Sequence, residues 1–138
     1  MAEYAKALPQ FTVGAEDYWD ACSRHELSLQ RCCDCNTFRF YPGPMCHAPD
    51  CMSLEYDWVR VSGRGEVYTY TAVHRPVSEA WVEDTPYVIA MIKLAEGPVM
   101  MSNVIDCPPG DVQIGLPVEV VFKDIAEGVT LPYFRPVR

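Results

Sequence analysis

Seven cysteines are many for a chain of 138 residues, and four of them have metal-ligand spacing. Cys32, Cys35, Cys46 and Cys51 read as C-x2-C, ten residues, then C-x4-C. A C-x2-C turn aims two thiolates at one point, and two such turns complete a tetrahedron. Four thiolates close the coordination sphere, so the expected ion is a structural Zn2+ rather than a hydrolytic one. Iron in the same tetrahedron is the second reading and implies an electron carrier. The second turn, CHAPDC, is two residues longer than the usual knuckle. His47 in place of one cysteine, or Cys33 in place of Cys32, is therefore an alternative ligand. Cys22 and Cys107 stand apart and read as small buried hydrophobes. An odd cysteine count excludes a complete intramolecular disulfide set, and clustering favours a metal in a reducing compartment.

Little else has the types and spacing of a catalytic centre. The histidines are His25, His47 and His74. No serine lies in a G-x-S-x-G elbow. SGRGE is not a phosphate-binding loop, since no helix pattern follows it. The chain is expected to be non-catalytic by itself. Trp19 and Trp81 are more suggestive. One lies on a helix pattern and one in the acidic loop RPVSEAWVEDTP, and aromatic anchors are enriched at interface centres. Both are candidate partner contacts.

Three stretches must position these residues. Residues 1–27 hold the only helix pattern, GAEDYWDACSRHEL, with acidic residues at its start and Arg24 and His25 at its end. Residues 28–58 are cysteine- and turn-rich, a metal-stapled ribbon. Below about 40 residues a metal supplies folding energy that a small core cannot. Residues 59–138 carry five β-rich runs bounded by Gly, Pro and Asp, which fit a small antiparallel barrel of OB type. The expected fold is mainly β: a helix, a rubredoxin-like zinc ribbon, then a five-stranded OB-fold barrel.

The charge balance, 11 basic against 19 acidic residues for a net of −8, argues against a nucleic-acid-binding OB module. No apolar run reaches the roughly 20 residues that span a bilayer. MAEYAKALPQF shows no basic-then-apolar signal pattern. A cytoplasmic protein without a membrane or nucleic-acid partner is expected.

The order of motifs resembles a known family. An aromatic helix precedes LSLQRCCDC, YPGPMC and WVRVSGRGEVYTYTAVHRP, followed by PYVIAMIKLAEGP, IGLPVEVVF and TLPYFRP. From about residue 14 to 136 this is similar to the acyl-CoA-associated zinc-ribbon/OB-fold family, small accessory subunits of thiolase-like enzymes. Asn36 and Met52 depart from it, standing where glycine commonly follows each knuckle. The resemblance implies a non-catalytic zinc-binding subunit in a hetero-oligomer with a thiolase-superfamily catalytic subunit that acts on an acyl-CoA. Thiolysis of a bulky β-ketoacyl-CoA is the first reading of the partner's reaction. A steroid side-chain retro-aldolase or an acyltransferase is the alternative. Coenzyme A is implied as a cofactor shared with the partner, and Arg64 and Arg75 are the candidates to meet its phosphates.

Overall fold

The computed structural model describes residues 4–138. The helix α1 spans Glu16–Ser23, with Glu16 and Asp17 in its first turn. It is shorter than the helix pattern because its end is locked by the backbone. The N–H of His25 donates to the Cys22 carbonyl and that of Glu26 to the Ala21 carbonyl, both at 2.9 Å. His25 adopts φ 60°, a left-handed stop in a position that usually takes glycine. One face of α1, Tyr18, Ala21 and Cys22, is buried.

The ribbon is a three-stranded antiparallel sheet in the order β2-β1-β3, with β1 at Ser28–Cys32, β2 at Phe38–Arg39 and β3 at Tyr56–Arg60. The aromatic pieces at 38–41 and 54–58 contribute its two edges. Its centre, β1, carries no alternation in the sequence. Leu27, Ser28, Leu29 and Gln30 are buried in succession, because β1 is covered on both faces. Gln30 accepts from Arg39 Nε at 2.6 Å and from the Gly43 N–H at 2.9 Å. Arg39 also donates to the Gly43 carbonyl at 2.6 Å, and its guanidinium lies 4.8 Å from the Tyr56 ring centre. This network fixes the 40–44 loop to the sheet.

The remaining five strands are β4 (Arg64–Val73), β5 (Tyr87–Leu94), β6 (Val99–Val104), β7 (Pro117–Ala126) and β8 (Val129–Pro136). They close into a barrel in the order β4-β5-β6-β8-β7, the OB-fold expected from the sequence. The sheet is mixed, because β6 and β8 run parallel and share a single residue pair, Val104 and Phe134. The strict alternation expected of a strand with one buried face fails in β4 at a bulge between Val67 and Thr69. The extra residue shifts the phase. Val67 is buried, whereas Tyr68 to Thr71 are all exposed. Two glycines of the SGRG motif are demanded by close approach. Gly63 has φ +76°, and a Cβ there would collide with the Val120 side chain; a Cβ on Gly65 would sit 2.5 Å from the Lys93 carbonyl oxygen.

One core joins all parts. Tyr18, Cys22, Leu27 and Leu29 belong to the same buried cluster as Val67, Ile92, Met100, Val118 and Phe134 of the barrel. Among the described residues no helix is long and apolar enough to cross a membrane.

Candidate functional site

The four thiols of Cys32, Cys35, Cys46 and Cys51 converge, all within 4.8 Å of one another. Cys32 Sγ lies 3.6 Å from Cys51 Sγ, and Cys35 Sγ 3.6 Å from Cys46 Sγ. A tetrahedron with metal–sulfur bonds of about 2.3 Å has edges of about 3.8 Å, so the donor set and its geometry fit one ion. Cys32 closes β1, and the first knuckle turns back through the Asn36 N–H to the Cys32 carbonyl at 3.0 Å. Asn36 takes φ 60°, the left-handed conformation that asparagine tolerates. In the second knuckle the two extra residues form a turn, with the Cys51 N–H on the Ala48 carbonyl at 3.2 Å. Asp50 and Met52 both take positive φ, 62° and 51°. Met52 thus keeps the conformation of the missing glycine.

The electrostatics suit thiolates. The Thr37 hydroxyl, 3.2 Å away, and then the Thr37 N–H hold Cys35 down at about 6. The Ala48 N–H donates to Cys46 Sγ at 3.5 Å. The Ser53 N–H favours the Cys51 thiolate, but burial and the three neighbouring thiols outweigh it and push Cys51 up to about 12. Four such groups share one small volume, and only a cation allows all of them to ionise together. Neither alternative ligand joins them. Cys33 is exposed, its thiol faces Asp57 Oδ2 at 3.6 Å, and partial desolvation by its neighbours followed by the Asp57 charge raises its pKa above the usual thiol value. His47 is exposed and outside the cluster.

Arg64 and Arg75 are both exposed and do not converge. Arg64 begins β4, and Arg75 lies two residues beyond its end. About 30 Å of strand separates them at roughly 3.3 Å per residue, so one diphosphate cannot meet both. His74 is exposed beside Arg75. His25 sits elsewhere, 3.0 Å from Asp124 Oδ1 and stacked on Phe122. Cys22 is fully buried, and Cys107 is half-buried.

The two tryptophans do converge. Trp19 stacks on Phe11 at 4.7 Å, and Trp81, on a 3-10 turn at Glu79–Asp84, packs 4.8 Å from Tyr87. Lys6 Nζ lies 5.0 Å from the Trp81 ring centre and pairs with Asp84 at 2.6 Å. Both indoles are half-buried and line the same cavity of about 780 Å3. That cavity was not legible in the sequence, because its walls come from the N-terminal arm, the 40–44 loop, β6 and β8. The support given by Thr37 to Cys35 was legible in principle, as a hydroxyl two residues after a knuckle cysteine.

Comparison with known proteins agrees with this architecture. Residues 19–57 match the family model described as "ChsH2, rubredoxin-like zinc ribbon domain", and residues 58–123 match "ChsH2, C-terminal OB-fold domain". A DUF35 domain-containing scaffold protein of Methanocaldococcus jannaschii is 39% identical over 121 residues, covering 83% of this chain and 84% of the relative. A probable enoyl-CoA hydratase alpha subunit of Thermomonospora curvata is 37% identical over 119 residues. There the match takes 86% of this chain but 36% of the relative, so the chain spans about a third of that protein's length. A solved structure described as "Ltp2-ChsH2(DUF35) aldolase" superposes with a TM-score of 0.82 and 35% identity, covering 93% of this chain and 98% of the matched one. Ribbon and barrel are thus shared along nearly the whole chain, which belongs to the DUF35 family of ChsH2-type zinc-ribbon/OB-fold proteins.

Proposed function

We propose that this chain is a non-catalytic accessory subunit that binds a catalytic partner acting on an acyl-CoA. The observation that carries the reading is the 35% identity and 0.82 TM-score, over nearly the full length of both chains, with the DUF35 chain of an aldolase complex. That likeness supports an aldolase-type partner and retro-aldol cleavage, in preference to the thiolysis first read from the sequence; that the partner is of the thiolase superfamily rests on the sequence resemblance alone. In this proposal the ion is Zn2+, held by Cys32, Cys35, Cys46 and Cys51. When bound it supplies folding energy to the ribbon and no open coordination site. The chain's own residues then do positional work. The ribbon anchors α1 and the 40–44 loop against the barrel, and the exposed half of β4 gives the partner a surface. The nucleophile and the acid–base groups belong to the partner.

The test is gentle affinity purification of the tagged chain from its own host. A catalytic subunit co-eluting in stoichiometric amount, with aldolase activity absent from either chain alone, is the expected result. A folded monomer that elutes without companions overturns the accessory role.

A further inference from the structure

The cavity between the N-terminal arm, α1, the 40–44 loop and the barrel has an unusual wall. Its volume, about 780 Å3, lies within the range of small-molecule sites. Among the described residues none of its lining side chains is Asp, Glu, Lys, Arg or His, in a chain that is 22% Asp, Glu, Lys and Arg. Aromatic rings dominate, with Tyr18, Trp19, Phe40, Tyr41, Trp81 and Tyr133 facing it from four segments. Burial raises Tyr18 well above the usual range and lifts Tyr133 to about 12. Two polar side chains of the barrel wall are already engaged: the Ser102 hydroxyl donates to the Pro132 carbonyl at 2.9 Å, and the Asn103 amide donates to the Val88 carbonyl at 2.9 Å.

Such a wall does not suit phosphate or carboxylate, which need cations or free N–H donors. It suits flat apolar groups that stack on rings. We propose that this cavity is a binding site for an uncharged, rigid, ring-bearing group. Its natural source, the acyl portion of the partner's substrate, rests on the accessory-subunit reading; the site itself does not. The nucleotide end of an acyl-CoA is then held elsewhere, on the partner. Trp19 and Trp81 report on the site, being two of the chain's three tryptophans.

The experiment titrates the full-length, zinc-loaded chain with 2-acetylnaphthalene and follows tryptophan emission and calorimetry. Saturable binding with a Kd on the order of 100 μM is expected for a ligand of this size. Met101 and Tyr41 line the cavity but are 56% and 60% exposed, so charged residues there leave the fold intact. Met101→Arg and Tyr41→Lys should each weaken binding at least about tenfold. Tyr68→Arg, exposed but outside the cavity, should leave it unchanged. Absence of saturable binding, equal binding by Met101→Arg and Tyr41→Lys, or displacement of the probe by free coenzyme A overturns the proposal. Because the isolated chain is used, this result is independent of co-purification. A chain that binds the probe but finds no partner sinks only the accessory reading.

Discussion

Cys35 is the thiol that the surroundings prepare most strongly for ionisation, through Thr37. Cys35→Ser removes one corner of the tetrahedron and leaves three thiols without a cation to hold them together. The expected outcome is loss of bound metal, by atomic emission, and loss of ribbon structure, by circular dichroism. Cys33→Ser should retain both, because its thiol faces Asp57 instead. Cys22 gives a different signal. Burial raises it to about 11 from a usual 9, so the folded state holds the proton more tightly than the unfolded chain. Its contribution is fully present below pH 9 and is lost as pH rises towards 11, by roughly 2 kcal/mol. Urea midpoints of the wild type should fall across that window, and those of Cys22→Ala should fall less. Identity and spacing in the sequence sufficed to pick the four thiols, but not to reject Cys33 or His47. For Cys33 that choice depends on Asp57, contributed by a strand more than twenty residues away.

At the scale of elements, strand positions were largely readable where one face meets the core. β5 shows the pattern, with Val88, Ala90, Ile92 and Leu94 buried at every second position. Two elements escaped. β1 is covered on both sides, which erases the alternation, and the bulge in β4 depends on its partner strand rather than on its own residues. The end of α1 was also obscured, because a histidine stands at its left-handed stop. The SGRG glycines have a sharper meaning in three dimensions than as a motif. Gly65 lies against the β5 backbone, so Gly65→Val must push β4 and β5 apart. A loss of about 2–3 kcal/mol is expected in chemical denaturation. Gly110, with open space around its Cβ position, should accept alanine with little change.

For the whole molecule the decisive feature is the shared core. Leu27, just before the ribbon, and Leu29 within it pack in one cluster with Val67 and Phe134 of the barrel. Metal loss should therefore not leave an intact barrel beside a melted ribbon. Treatment with a strong chelator is expected to lower Tm by at least about 10 °C while keeping a single calorimetric transition. Two separate transitions would show that the ribbon and barrel fold independently. The negative net charge, −8, belongs to this scale as well. It favours a partner whose contact surface is basic, and such association slows as salt is raised.

The barrel closes imperfectly. β6 and β8 meet in one residue pair, and β8 carries Pro132 and Pro136, which have no N–H to extend the ladder. Further along, the strands are stitched by the Ser102 hydroxyl on the Pro132 carbonyl. This seam lies along the floor of the aromatic cavity, where Ser102 and Pro132 are both part of the wall. A sparsely paired joint is where a closed sheet is expected to open first, and hydrogen exchange checks it. Amides of β6 and β8 beside the seam should exchange faster than those of β4 and β5, and uniform protection around the barrel would contradict this. The fold thus places its most sparsely paired strand junction under the aromatic cavity.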